Sequence, residues 1–352
     1  MNEFDQIKQA RPDVPDYDPG TKAMARDRLV RAGGSRFAWR RSHTLAVAGA
    51  LSLAVAFTAT RFLPADAPPQ AGPPSVAMPQ VNLMSAAQVL QRAAGAPAEE
   101  IDPRDDQFIV TESQTMYPAH AFTEDKEERY LYRSKRKIWV SADGSTDADR
   151  RAGVLQSEML EPAQYPGWPI PQIARDEAGR TETVPLVQCE KLPERLRDDY
   201  ATLKKLPTDP GAMREHLFRL FPGGDKADRT QEVWMGASEW LRESHMPSAQ
   251  RSALFTALST LPGIQVVQDA EDAAGRKGIA VGVPMHGVRQ ELVFDTETYT
   301  LLGERGIVVD EKAAKAPVGS LVTSTAQLTV SVADSAPDAP VTEDYDCSKN
   351  QG

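Results

Sequence analysis

Histidine and cysteine are the residue types from which metal or nucleophile chemistry would start, and this chain contains few of them. The five histidines and two cysteines are His43, His120, His216, His245, His286, Cys189 and Cys347. No His-Glu-x-x-His motif and no Cys-x-x-Cys pair occurs among them, and those spacings are what bring two ligands to one zinc ion. The sequence therefore predicts no metal site and no cofactor.

Motifs for nucleophilic or phosphate chemistry are also missing. The segment "GASEW" at Gly236 lies in a helical pattern and lacks the second glycine of a nucleophile elbow, and no Walker A or GxGxxG segment follows a strand. The carboxylates of "DGSTDAD" from Asp143 lack the spacing of a calcium loop and indicate a solvated hairpin turn. We expect a protein that is not an enzyme, although an acid–base carboxylate pair among the many acids stays open.

Aromatic side chains offer a second kind of site, an apolar pocket between a curved sheet and its helices. The candidates are Tyr130, Tyr132, Trp139, Trp234 and Trp240. The simpler interpretation is that these rings fill the core. If they line a pocket, a lipid or an acylated ligand is the natural occupant.

Whether the two cysteines can form a disulfide depends on the side of the membrane on which they lie. Both follow a predicted membrane segment, so Cys189 and Cys347 would lie where oxidation is permitted. A disulfide between them would close a loop worth roughly 4–5 kcal/mol in the chain-entropy model. Whether the bridge forms is left open by the sequence.

Charge is distributed unevenly along the 352 residues. Residues 1–43 carry nine Lys/Arg and six Asp/Glu, whereas residues 62–352 carry 30 and 44, a balance of −14. Phosphate binding requires clustered Lys and Arg, and the only such cluster in the acidic part is the short "RSKRK" of Arg133–Lys137. We therefore expect no nucleic-acid partner.

Residues 44–60 form a stretch of 17 residues without a charge. With the residues up to 63 included, a helix here spans about 26–30 Å, which matches a bilayer core. Arg36, Arg40 and Arg41 precede the stretch, and residues 64–83 contain no Lys or Arg. The positive-inside rule then places the N-terminus in the cytoplasm and the rest of the chain outside. An uncleaved signal-anchor is favoured over a cleaved signal peptide, because 43 residues precede the apolar stretch.

The remaining patterns predict an α+β protein with five parts. These are a basic cytoplasmic head (1–43), a transmembrane helix (44–63), a Pro-rich linker (64–81), an extracytoplasmic domain (82–333) and an acidic disordered tail (334–352). In the domain, strand-like runs flank helical segments, and we expect Thr208 to cap the helix that begins near Pro210. That order predicts a curved antiparallel sheet with helices packed on one face.

Five segments of the chain resemble a known family. They are "RPDVP" (11–15), "IWVSADGS" (138–145), "LPTDPGAM" (206–213), "LPGIQVVQDAEDAAGRKGIAV" (261–281) and "ELVFDTETYTLLGE" (291–304). The chain thereby resembles an uncharacterised family of actinobacterial single-pass membrane proteins, often encoded beside an extracytoplasmic-function sigma factor. The resemblance implies an activity like that of an anti-sigma factor and an outer domain similar to the half-barrel of lipoprotein carriers. The zinc-binding His-x-x-x-Cys-x-x-Cys of common anti-sigma domains is absent, since no cysteine precedes Cys189.

Two functions follow as hypotheses. In the first, the outer domain is a sensor or regulator that acts through the head on a cytoplasmic partner such as a sigma factor. In the second, the protein binds lipid or lipoprotein in the envelope and the head serves only as an anchor. Both place the protein in the cell membrane.

Overall fold

The computed structural model of the protein describes residues 84–97, 100–122, 127–144, 152–186, 193–224 and 228–339. The strands are β1 (Phe108–Phe122), β2 (Glu127–Ser141), β3 (Gly153–Gln164), β4 (Thr181–Leu186), β5 (Gln265–Glu271), β6 (Lys277–Met285), β7 (Val288–Asp295), β8 (Leu301–Val308) and β9 (Leu321–Ala333). The helices are α1 (Ala86–Ala94), α2 (Gln172–Asp176), α3 (Tyr200–Leu203), α4 (Pro210–Leu220), α5 (Arg229–Leu241), α6 (Ser248–Leu258) and α7 (Glu311–Ala314).

The strands form one curved, unclosed sheet in the order β4-β3-β2-β1-β9-β8-β7-β6-β5, and every pairing is antiparallel. Strands β1–β4 and β5–β8 are two meanders, each joined in chain order. The last strand, β9, lies between β1 and β8 and unites them. The predicted α+β class and antiparallel sheet are confirmed for the described residues.

Helix ends follow ordinary capping chemistry. Ser85 and Gln88 form a capping box at the start of α1. The cap of α4 is Asp209, whose carboxylate accepts the backbone N–H of Ala212, so the prediction of Thr208 as cap is wrong by one residue. Pro210 then occupies the first helical position, where its missing N–H costs nothing.

The main apolar core lies between helices α1, α4, α5 and α6 and the strands β6 and β7. The face of the sheet that these helices cover is called the helix face. Phe255 of α6 and Phe294 of β7 pack edge to face, with ring centroids 5.4 Å apart. Gly236 of α5 is required by a close approach, because a Cβ there would lie 2.1 Å from the ring of Phe221. The glycine of "GASEW" thus serves helix packing.

On the opposite face of the sheet, charge is buried within the strands. Leu292 and Phe294 point to the helices. Because successive side chains of a strand point to opposite faces, Glu291 points away from the helices. Arg289 and Arg305 each donate from Nε to one oxygen of Glu291. The side chain of Arg289 is 4% exposed, that of Arg305 is 2% exposed and that of Glu291 is 0% exposed. A carboxylate shared by two guanidinium groups holds β7 and β8 together.

The two ends of the described chain can be compared with the predicted limits of the tail and of the membrane segment. Residues 334–339, which the sequence assigns to the tail, contact the body: Asp334 accepts from Gln107, and Ala339 packs with Trp139. Residues 340–352 lie outside the described ranges. Within those ranges no helix is long and apolar enough to cross a bilayer, and residues 44–63 are not among them.

Candidate functional site

Several predicted site residues fall outside the described ranges. Cys189 and Cys347, and with them the possible disulfide, are among these, as are the topology-determining residues Arg36, Arg40 and Arg41. Their roles stay predictions. No three His, Cys, Asp or Glu side chains in the described part of the chain are grouped so as to hold a metal ion.

The five aromatic residues proposed to line a pocket lie in three environments. Tyr132 is on the helix face of β2, with its ring centroid 5.9 Å from that of Tyr117, and Tyr130 shares its parity on the strand. Trp139 has the opposite parity and packs on the other face of the sheet. Trp234 and Trp240 are buried in the helix core. Because the sheet separates Trp139 from the others, the five rings do not line one cavity.

What the helix face of β1 and β2 does contain is a polar cluster that sequence reasoning missed. Side chains on this face include Ser113, Thr115 and Tyr117 of β1, which pair in register with Arg136, Ser134 and Tyr132 of β2. A strand buried under helices would normally present apolar residues here. The signal was in "TESQTMY", where small hydroxyl residues recur at every second position from Thr111 to Thr115.

The connection that leaves α5 supplies the charges opposite these strands. Glu243, two residues beyond the helix, adopts φ 52°, a left-handed conformation that costs a non-glycine residue roughly 1–2 kcal/mol. In that conformation its carboxylate accepts from Ser113 Oγ and lies 2.9 Å from Arg136 Nη1. The strained backbone thus places a carboxylate between the helix layer and the β1–β2 hairpin. We call Ser113, Arg136, Arg242, Glu243 and Glu304 the polar interface.

Arg242 forms the second half of the polar interface. Its Nη2 lies 2.6 Å from Glu304 Oε2 of β8 and its Nη1 lies 3.0 Å from Glu239 Oε1. The guanidinium carbon is 6.0 Å from the ring centroid of Tyr117. One arginine at the end of α5 therefore contacts both β1 and β8.

Burial dominates the electrostatics of this interface. It raises the pKa of Glu304, although the charge of Arg242 acts in the opposite direction. It also raises the pKa of Tyr117 and of Tyr132 above their usual range. Two buried atoms, Glu304 Oε1 and the Tyr132 hydroxyl, have no hydrogen-bond partner among the described residues. The ionised groups neutralise one another, so the arrangement is suited to holding two layers together.

An open groove of about 490 Å³ runs across the other face of the first meander, and we call it the β1–β4 groove. One row of its lining follows the register across four strands: Glu112, Lys137, Gln156 and Thr183. Lys137 lies 2.8 Å from Glu112, and this hydrogen bond lowers the pKa of the carboxyl group. The groove is a polar surface of mixed charge, suited to recognition of a polar partner.

Comparison with known proteins gives few similarities. No protein-family model matches the chain, and no curated protein matches it. Among solved structures, it is similar to a chain of the Pseudomonas aeruginosa MucA/MucB complex at 13% identity and TM-score 0.23, over 76% of this chain and 60% of that one. A crystal structure of MucB gives 13% identity and TM-score 0.22, over 76% of this chain and 62% of that one.

A third similarity is to an outer membrane lipoprotein-sorting protein domain from Vibrio parahaemolyticus, at 9% identity and TM-score 0.19, over 75% of this chain and 95% of that domain. The chain spans less than two thirds of the length of the first two of these chains. Overlays with TM-scores this low establish neither a common fold nor a common function. The predicted family and its link to a sigma factor stay predictions.

Proposed function

We propose that this chain is a single-pass membrane protein whose folded domain lies outside the cytoplasm and binds a partner there without catalysing a reaction. Its head, residues 1–43, acts on a cytoplasmic partner such as a sigma factor, in the manner of an anti-sigma factor. The domain is the sensing part of this regulator. The segment 44–63 joins the two parts across the membrane.

The observation that carries this proposal is the uneven covering of the sheet. Helices cover β6 and β7, whereas the β1–β4 groove stays open and is lined by polar side chains. The side chains of the polar interface are used in pairing with one another rather than arranged as a nucleophile with its base. An open polar surface on a folded domain, following a Pro-rich linker and an apolar segment, suits binding and signalling.

A pull-down with the full chain from native membranes tests the regulatory role. We expect a cytoplasmic protein to be recovered by the full chain and lost when residues 1–43 are replaced by a head of the same charge and scrambled sequence. The charge-matched control is needed because juxtamembrane arginines attract anionic lipid regardless of sequence. Equal recovery with the scrambled head would contradict the proposal.

The alternative function, an envelope protein that binds lipid or lipoprotein through its outer domain, has weaker support. The lining of the β1–β4 groove is mostly charged or hydroxyl-bearing, and an acyl chain would need an apolar lining. Lipid extraction from the purified full chain separates the two functions. One tightly held acyl lipid per chain, absent from a β1–β4 groove variant, would favour the alternative.

A further inference from the structure

A second pocket, of about 180 Å³, lies between the helix layer and β9, and we call it the β9 pocket. It opens where α1, the α5–α6 connection and the β7–β8 turn meet a bulge in β9, at which the register with β1 shifts. Bulges are common beside binding sites because they interrupt strand pairing. Leu241, Phe255, Leu301 and Val330 contribute apolar lining to the β9 pocket, and its polar lining includes Ser244, His245, Arg251, Thr300 and Gln327.

His245 is a buried polar group without a partner. The residue is 8% exposed, and its Nε2 atom has no hydrogen-bond partner among the described residues. Burial lowers the pKa of His245 to about 4, so the ring is neutral at neutral pH. A buried polar atom left unsatisfied destabilises the fold, because the loss of its contacts with water is not offset. A bound group that pairs with Nε2 would remove that cost.

Arg251, in the first turn of α6, brings a positive charge to the same pocket. Its side chain is partly buried, and no described residue forms a hydrogen bond or an ion pair with it; Glu100 acts on it only through its charge. Guanidinium groups in partly buried sites ordinarily pair with a carboxylate or phosphate, often through two hydrogen bonds. An anion in the β9 pocket would supply the missing partner.

The volume limits what such an anion can be. An engineered protein cavity of about 150 Å³ binds benzene, so the β9 pocket has room for a ligand of about that size. Its lining combines apolar side chains with the polar groups of Arg251 and His245. We propose that the β9 pocket binds a small organic monoanion, a carboxylate with a short apolar body, whose charged group contacts Arg251 and His245 while its body lies on Leu241, Phe255 and Leu301.

Calorimetric titration of the full chain in nanodiscs tests this inference with benzoate as the probe and benzamide as its uncharged isostere. We expect saturable benzoate binding in the millimolar range or tighter, and benzamide binding weaker by about tenfold or more. Arg251→Gln should abolish the preference for benzoate. Arg214→Gln, on the exposed face of α4, is the matched control and should leave both affinities unchanged. Empty nanodiscs correct for partitioning into lipid.

A second variant, which blocks the pocket, tests the inference independently in case Arg251→Gln does not fold. Pro97 is exposed at the rim, so Pro97→Trp should abolish benzoate binding while the thermal midpoint stays unchanged. The inference is overturned by any of three results: no saturable binding of benzoate at millimolar concentrations, equal affinity for benzoate and benzamide, or a preference that survives Arg251→Gln. None of these results involves the head, so the pull-down above is independent of this test.

Discussion

On β6 and β7 the side chains that face the helices are apolar, as at Val281 and Phe294. On β1 and β2 several of them are hydroxyl-bearing or charged, as at Thr115 and Arg136. The apolar contacts are non-directional and gain free energy in proportion to the area they bury. The polar contacts depend on geometry, and they lose their value when one partner moves. The helix layer is therefore fixed to the second meander and attached to the first through a few directional bonds.

This difference assigns separate roles to the two halves. The second meander and its helices provide the stability of the domain. The first meander carries the open β1–β4 groove on one face and the polar interface on the other. A partner bound in the groove would act on strands whose other face contacts the helix layer through the polar interface.

The largest effect is expected from truncating Trp240 in the helix core. Trp240 is 1% exposed and packs on Phe221, with ring centroids 5.9 Å apart. Trp240→Ala should lower the free energy of unfolding by about 3–5 kcal/mol through lost burial and the cavity left behind. Denaturant unfolding of the full chain in detergent, followed by circular dichroism, measures it. Leu328→Ala at an exposed position should change it by less than about 0.5 kcal/mol.

A comparable effect is expected at the buried charges of the second meander. Glu291→Gln keeps the shape of the side chain but leaves Arg289 and Arg305 without a counter-charge, which should cost about 3–5 kcal/mol. Glu177→Gln breaks the more exposed pair with Arg180 and should cost less than about 1 kcal/mol. Equal losses from the two variants would show that burial does not control these pairs.

The pH dependence of stability should depend on His245. The pKa of His245 is lowered to about 4 in the folded protein, so between pH 6.5 and about 4 the unfolded chain binds a proton that the folded chain does not. Its contribution is complete above pH 6.5 and is lost as the pH falls, by roughly 3 kcal/mol over the interval. The difference in unfolding free energy between wild type and His245→Phe should show this slope. A difference independent of pH would contradict the assignment.

The polar interface should give a smaller loss than the charges of the second meander. Glu243→Gln removes the charge that pairs with Arg136 while keeping the hydrogen bond from Ser113, and should cost about 1–3 kcal/mol. A double-mutant cycle with Arg136→Met should show coupling between the two residues, since their atoms are 2.9 Å apart. Absence of coupling would mean that the helix layer and the first meander are joined in another way.

Local patterns were enough to predict most of the elements. Strand-like runs on both sides of helical segments predicted the α+β class, and Pro210 marked the start of α4. Short-range chemistry decides such elements, so the sequence contains their signals. The cap of α4 was misplaced by one residue because Thr208 and Asp209 are both good caps, and only the structure shows which one meets the N–H of Ala212.

Long-range arrangement was not predictable in the same way. No local signal places β9 between β1 and β8, because that pairing joins residues about 200 positions apart, as at Thr115 and Thr325. The polar interface escaped notice since its members come from β1, β2, β8 and the end of α5. The aromatic pocket was predicted from residue type alone, and strand parity puts Trp139 on the other face from Tyr132.

We propose that the head and the folded domain lie on opposite sides of a membrane. Cysteine labelling in intact cells measures this topology. In a chain with Cys189→Ser and Cys347→Ser, a single cysteine is placed either at Ser35 in the head or at exposed Glu297 in the domain. With a membrane-impermeant maleimide, the account predicts that Glu297→Cys is labelled in intact cells and Ser35→Cys only after lysis. Labelling of Ser35→Cys in intact cells, or protection of Glu297→Cys until lysis, would contradict it.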